Sequence, residues 1–242
     1  MKKKILVIGG AGFIGSNLVE ILLKNKINFD ATFYKNKPKI NLKQVNYIYL
    51  DLKDKKKISN LVKNYHSVIM CGGKIFNSRN KIDLFEKFNE NVNIHLNVIK
   101  AVCEAKIGKY LWYSSCTGYP EFTKKINEIH FFNSEPSFHK LAGWHSRFIE
   151  KVLENYSKNF KTKFITIRVP EVYGKYDNYN LKNCRNIPLI ISSSFIKNYK
   201  AVKLDINFKK SYIYANELAK ISLRVLFKFK QKYDVFNVCD DK

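Results

Sequence analysis

At 242 residues the chain is long enough to bury one substantial core, with room for a small second lobe. Its apolar content of 45% is that of a soluble globular protein, and no apolar run approaches the roughly 18 to 20 residues that span a membrane. The formal charge of +24 raises nucleic acid as a partner. However, the lysines lie along the whole chain among Asn and Ile, arginines are few, and there is no module of interleaved basic and aromatic residues. The expectation is therefore no nucleic-acid and no membrane partner, with the charge serving capture of an anionic substrate. Met1-Lys2-Lys3-Lys4 has the start of a signal peptide, but the apolar run after it breaks at glycines and no small-residue cleavage site follows, so the protein is read as cytoplasmic. The five cysteines (71, 103, 116, 184 and 239) are scattered, odd in number and without metal-ligand spacing, so they are expected to be reduced and to bind no metal.

In chain order, Lys4 to Ile8 has the length and composition of a buried strand, and Ser16 to Leu23 has the apolar spacing of a helix. Between them stands Gly9-Gly10-Ala11-Gly12-Phe13-Ile14-Gly15. In this context Gly9 turns the chain off the strand, Gly12 lets backbone approach a pyrophosphate, and Gly15 lets helix pack on strand. The N–H groups at the helix start would meet the phosphates. Strands are then predicted over Phe29 to Tyr34, Tyr47 to Leu50, Ser67 to Met70, Tyr110 to Tyr113, Lys163 to Arg168 and Val235 to Val238. Helices are predicted over Lys55 to Asn64, Asp83 to Ala105, Ser137 to Asn159, Pro188 to Lys197 and Asn216 to Lys228. This alternation predicts an α/β fold, a doubly wound parallel sheet of the Rossmann kind. Residues 1–170 would form the NAD(P)-binding domain, and 171–242 a partial substrate lobe plus the last sheet elements, all in one structural unit.

Further motifs follow the glycine loop. They are Asp51-Leu52, Val68-Ile69-Met70-Cys71-Gly72-Gly73, Asn91, Tyr113-Ser114-Ser115-Cys116-Thr117-Gly118-Tyr119-Pro120, Arg168 to Asn178 and Lys210 to Ala219. In this order they resemble the extended short-chain dehydrogenase/reductase family, the nucleotide-sugar epimerases, dehydratases and reductases. Ser-Ser-Cys followed by Tyr-Pro is similar in particular to GDP-fucose synthases. The resemblance implies a cofactor, NADP or NAD, held by Gly9, Gly12, Phe13, Ile14 and Gly15, with Asp51 and Leu52 at the adenine and Cys71, Gly72 and Gly73 alongside. It implies that Asn91 steadies the site, that Ser115 is the catalytic serine, and that the substrate is a nucleotide sugar. Phe33 stands where NAD-preferring members carry an aspartate for the ribose 2′-hydroxyl, and Lys35 is placed to meet a 2′-phosphate, so NADP is favoured.

The catalytic pair departs from the family. Members use Tyr-x-x-x-Lys, one helical turn apart, the lysine lowering the tyrosine's pKa. Glu150 and Glu154-Asn155-Tyr156 set the register, which puts Ala142 at the tyrosine and Ser146 at the lysine. Alanine carries no proton and serine no charge. His139 and His145 lie three residues to either side of Ala142 and are the candidate proton carriers, because histidine titrates near neutrality. Family members also continue beyond Asn237, so the pocket is expected to be open or completed by a second copy in a homodimer. Two readings stay open: an enzyme with an irregular site, or an inactive dinucleotide-binding homologue that acts as a partner or sensor.

Overall fold

The computed structural model describes residues 4–41, 43–76, 80–120, 126–136, 141–181, 184, 186–195 and 211–239. β1 (Ile5–Ile8), β2 (Phe29–Phe33), β3 (Tyr47–Tyr49), β4 (Ser67–Met70), β5 (Lys109–Ser115), β6 (Lys163–Val169) and β9 (Tyr233–Asn237) form one parallel sheet in the order β3-β2-β1-β4-β5-β6-β9. α1 (Phe13–Lys24), α2 (Lys55–Val62), α3 (Lys81–Glu104), α4 (Leu141–Asn159), α5 (Asn186–Ser194) and α6 (Ala215–Lys228) complete it. The doubly wound fold expected from the alternation is the one observed.

The apolar strands do not alternate with polar residues because both faces of the sheet are covered. Val7, Leu111, Ile165 and Ile167 pack with Leu18 and Leu22 of α1 and Leu218 and Leu226 of α6. Leu6, Ile8, Val68, Tyr110 and Phe164 pack on the other side with Ile58 of α2, Val98 and Val102 of α3 and Leu153 of α4. Side chains alternate along each strand, so consecutive apolar residues feed opposite cores.

Three differences from the sequence reading affect the site. α1 begins at Phe13, so its first turn lies inside the glycine segment. β5 runs on through Ser115, two residues beyond the predicted end, because Ser114 and Ser115 keep their register with Arg168 and Val169. The expected loose region after Arg168 contains a second parallel sheet, β7 (Glu171–Tyr173) paired with β8 (Tyr212–Tyr214). Three-residue strands carry too little period to be seen in sequence. α4 is described from Leu141, and the predicted start at Ser137 lies outside the described residues.

α3 and α4 meet at a nest of rings. His95 and His145 have centroids 4.9 Å apart, with Trp112 against both and Phe76 and Phe88 against His145. Burial pushes His95 down to about 4 and His145 down to about 3. Below about pH 6.5 the unfolded chain therefore takes up protons that the folded chain refuses. Stability is expected to fall as pH drops from about 6.5 toward 4, by at most about 1.4 kcal/mol per pH unit for each histidine. Urea melts at pH 7 and pH 5 check this: His145→Phe should narrow the gap between the two values relative to wild type.

Candidate functional site

β1 pairs with β2 on one side and β4 on the other, so the chain leaves its neighbours in opposite directions and opens a crevice at the carboxyl edge. The glycine segment lines it. Gly9 has φ +78°, a left-handed conformation, and a Cβ there would lie 2.7 Å from the Gly72 nitrogen at the end of β4. A Cβ on Gly15 would lie 2.2 Å from the Gly9 carbonyl oxygen. Packing alone therefore demands these two glycines. Gly12 is less tightly held: its Cβ would have one neighbour, the Gly9 carbonyl oxygen at 3.2 Å, so the fold demands a glycine there less strictly than at Gly9 or Gly15. The Gly9 N–H donates to Thr32 Oγ1 at 3.0 Å, and the Gly12 N–H donates to the Gly9 carbonyl at 3.0 Å. Thr32 was not anticipated from sequence; its only signal is a hydroxyl in the buried middle of β2. Gly12 is the N-cap of α1, no side chain caps the helix, and its first turn holds no acidic residue. The positive end of the helix thus faces the crevice without an internal counter-charge, as an anion site requires.

At the adenine end, Phe33 stacks edge-on against Tyr49 at 5.7 Å. The Asp51 Oδ1 accepts from the Lys53 N–H at 2.9 Å. The Asp51 carboxylate also lies beside the Tyr34 hydroxyl and pushes its pKa up. Lys35 is exposed, with Nζ 5.6 Å from the Tyr34 ring centroid. Leu52 lies against Gly72 from across the crevice. Beyond β4, Asn91 of α3 is buried and clamps the loop: its Nδ2 donates to the Lys74 carbonyl at 2.9 Å and its Oδ1 accepts from the Lys74 N–H at 2.7 Å. Gly73 sits under this clamp, and a Cβ there would be 3.4 Å from Asn91 Oδ1. Cys71 is a thiol whose pKa burial drives well upward, so it is no nucleophile.

Ser115 ends β5, and its Oγ accepts from the Thr117 N–H at 3.2 Å and from Thr117 Oγ1 at 2.9 Å. A short 3-10 turn, Cys116–Gly118, follows. α4 lies against this turn: a Cβ on Gly143 would be 2.4 Å from the Thr117 carbonyl oxygen, and Arg147 Nε donates to the Gly118 carbonyl at 2.8 Å. Ala142 precedes Gly143 and Ser146 precedes Arg147. Both positions expected to hold the family pair are therefore on the turns of α4 whose neighbouring residues pack against the turn that follows Ser115.

His145 does not fit the role expected of it. It was chosen because histidine titrates near neutrality, yet its ring is enclosed by Phe76, Phe88, His95 and Trp112. Its Nε2 is buried with no hydrogen-bond partner among the described residues. Its pKa of about 3 keeps it neutral at ordinary pH and makes it a poor base. His139 lies outside the described residues. Arg147 does not replace a lysine at position 146 either, since its guanidinium is held over Phe131, Phe132 and Trp144.

Beneath Ser115 is a buried ion pair that sequence reading did not see as a pair. Arg168 Nη2 donates to Glu150 Oε2 at 2.7 Å, and the two side chains are 3% and 1% exposed. Ser114 Oγ donates to Glu150 Oε1 at 2.5 Å. Arg168 Nη1 donates to the Tyr119 hydroxyl and to the Glu128 carbonyl, each at 2.8 Å. The Tyr119 hydroxyl donates to Asn237 Oδ1 at 2.7 Å. The Phe131 ring closes one side, 3.7 Å from the guanidinium carbon. The available signal was an Arg near the end of an apolar strand and a Glu in the middle of an amphipathic helix, neither of which names its partner.

The chain belongs to the NAD dependent epimerase/dehydratase family, which it matches over residues 5–239. It is 24% identical over 238 residues to GDP-L-fucose synthase of Dictyostelium discoideum, covering 95% of this chain and 72% of that one. Its fold is similar to the Thermus thermophilus UDP-glucose 4-epimerase complex with NAD, with a TM-score of 0.81 and 20% identity over 99% of this chain and 78% of the other. It is also similar to a Naegleria fowleri GDP-L-fucose synthetase bound to NADP, with a TM-score of 0.77 and 17% identity over 99% and 77%.

The ion pair gives a sharp expectation for stability. Arg168→Met leaves a carboxylate buried without its cation and should cost about 3 to 5 kcal/mol. Adding Glu150→Leu to the same protein should recover a large part of that loss, as measured by denaturant unfolding.

Proposed function

We propose that this chain binds NADP or NAD in the crevice between β1 and β4. We further propose that it receives a nucleotide-activated hexose over Ser115, as an epimerase, dehydratase or reductase with an altered proton-transfer site. What carries this is the glycine turn at the reversal of strand order, opening onto an uncapped helix, with Ser115 two strands away on the same edge of the sheet. Gly12 supports it, because close approach of a ligand adds to the reason for a glycine that packing demands less strictly than Gly9 or Gly15.

When bound, the nicotinamide would give or take a hydride at a sugar carbon. The chain's own residues divide the remaining work. The main chain at Gly9 to Gly15, with Phe13 and Ile14 in the first turn of α1, holds the pyrophosphate. Asp51 and Leu52 border the adenine, and Cys71, Gly72 and Gly73 with Asn91 shape the nicotinamide side. With Phe33 in place of an acid, Lys35 reads a 2′-phosphate, which favours NADP. The Ser115 hydroxyl orients the sugar's hydroxyl or ketone. Ala142 can pass no proton and Ser146 supplies no cation, so the proton comes from elsewhere, with His139 the remaining candidate. Residues 1–170 serve the dinucleotide and 171–242 supply a partial substrate lobe together with β9. Trp144 and Phe148, exposed one turn apart on α4, support a homodimer. Among the described residues no helix is long and apolar enough to cross a membrane, and we place the protein in the cytoplasm. The second reading, an inactive dinucleotide-binding partner or sensor, is favoured by the same two positions, Ala142 and Ser146.

Calorimetry with NADP and NAD tests the cofactor site. Gly12→Val should lose most of the binding while its circular dichroism stays that of wild type; equal affinity for the two proteins would refute the site. Turnover on GDP- and UDP-hexoses and their 4-keto forms tests the chemistry. Wild type should be slow, and Ala142→Tyr with Ser146→Lys should gain about 10²- to 10⁴-fold. If His139→Ala abolishes the wild-type rate, the proton carrier has moved along the chain. Cofactor binding without turnover in either protein would select the second reading.

A further inference from the structure

The end of the sheet that carries β3 gathers rings and cations from three separate segments. β3 is the outermost strand, and its last residue, Tyr49, is in register with Phe33, the last of β2. Tyr49 and Tyr34 stand out into solvent, 50% and 42% exposed. Their ring centroids are 5.8 Å apart, and Phe33 meets Tyr49 edge-on at 5.7 Å. A cation flanks each ring: Lys35 Nζ lies 5.6 Å from the Tyr34 centroid and Lys57 Nζ 5.0 Å from that of Tyr49. Lys55, Lys56 and Lys57 make up the first turn of α2, the end of a helix where its dipole disfavours positive charge. Lys35 and these three lysines are exposed, and no ion pair holds any of them among the described residues. The nearby carboxylates are engaged elsewhere. Asp54 Oδ1 caps α2 by accepting the Lys57 N–H at 2.9 Å, and Asp51 Oδ1 accepts the Lys53 N–H at 2.9 Å. No stretch of the sequence interleaves basic and aromatic residues, yet folding assembles such a surface from residues 33–35, 49 and 55–57. A dinucleotide brings one adenine and, in NADP, one 2′-phosphate, for which Lys35 suffices. Two exposed rings and three further lysines suit a longer polyanion with flat bases.

We propose that Tyr34 and Tyr49, with Lys35 and Lys55 to Lys57, form a binding surface for single-stranded nucleic acid. Unpaired bases stack on the two tyrosine rings, which accept any base because every base has a flat face. Phosphates meet the lysines at the start of α2, and the strand's negative charge relieves the crowding of cations at that helix end. A duplex does not fit, because its bases already stack on one another inside the helix. RNA and DNA single strands share the bases and phosphates this surface reads. The surface overlaps the proposed dinucleotide crevice only at its adenine end, through Lys35, and does not involve the glycine turn. The strand therefore binds whether or not the turn holds a pyrophosphate, and the two readings are tested separately.

The whole chain is titrated into fluorescein-labelled oligouridylate and oligothymidylate of about 12 nucleotides, and into a duplex of the same length, with anisotropy read at several salt concentrations. Both single strands should bind more tightly than the duplex, and the tighter of the two names RNA or DNA as the better ligand. Tyr49→Leu keeps apolar bulk but loses the flat ring, and should weaken binding by about 5- to 150-fold. Tyr49→Phe keeps the ring and should bind as wild type does. Replacing Lys55, Lys56 and Lys57 together by Gln should reduce the slope of log affinity against log salt by about 2, at about 0.7 for each lost phosphate contact. Replacing Lys228, Lys230 and Lys232 by Gln removes the same charge beside β9, at the opposite end of the sheet, and should leave the slope unchanged. Gly12→Val should keep full strand binding. Circular dichroism checks that each variant folds. The proposal is overturned if neither strand binds, if the duplex binds as tightly, if Tyr49→Leu binds as wild type does, or if the two lysine triples act alike, which would reduce the effect to net charge.

Discussion

The ion pair between Glu150 and Arg168 is the constraint on which the Ser115 end of this molecule depends. It ties α4 to β6, reaches β5 through Ser114, and reaches the end of β9 through Tyr119 and Asn237. Two charges taken this far out of water are costly unless every hydrogen-bonding position is met. Here the carboxylate accepts from both Arg168 and Ser114, and the guanidinium donates to Glu150, Tyr119 and the Glu128 carbonyl. A network of this kind has one low-energy arrangement. It therefore holds α4, β5 and β6 in one arrangement next to Ser115.

The dinucleotide end is built on a different principle. Its shape comes chiefly from missing side chains. Gly9 and Gly15 allow β1, β4 and α1 to approach more closely than any Cβ permits, and Thr32 holds the turn by accepting the Gly9 N–H. The helix end then presents N–H dipoles to the crevice. The two ends are rigid for separate reasons, so a change at one need not disturb the other. The glycine turn is thus shaped independently of the α4 positions Ala142 and Ser146.

The histidines show how a reactive side chain is turned to a packing role. His145 lies on α4 between Ala142 and Ser146, yet its ring points into the nest with His95 and Trp112. Its neighbour His95 is bound through Nδ1 to the Asn91 carbonyl at 2.6 Å, and Asn91 clamps the loop after β4. The neutral form of both rings is thus part of the packing that positions the crevice wall. Protonation would place charge among apolar rings, which links the integrity of this wall to pH.

Much was legible in the sequence because it is local. The strand, glycine turn and helix at the N-terminus, the alternation of strands and helices, and the doubly wound class follow from period and spacing, which act over a few residues. The order of motifs follows from the same local spacing and points to Ser115, Asn91 and positions 142 and 146. The rest depended on residues far apart in the chain. Arg168 could be read as part of a motif, but its partner Glu150 lies on another element and is chosen by how α4 packs on the sheet. His145 could be read as titratable, but whether it does titrate near neutrality is set by the rings that enclose it. The short strands β7 and β8 exist because they find each other across about forty intervening residues, too far for a local pattern to record. By itself, then, the sequence determined the class of fold and the glycine turn between β1 and α1. Only the tertiary structure decided which charges are buried together and which histidine stays neutral, because desolvation and pairing depend on neighbours that the chain brings close only when it folds.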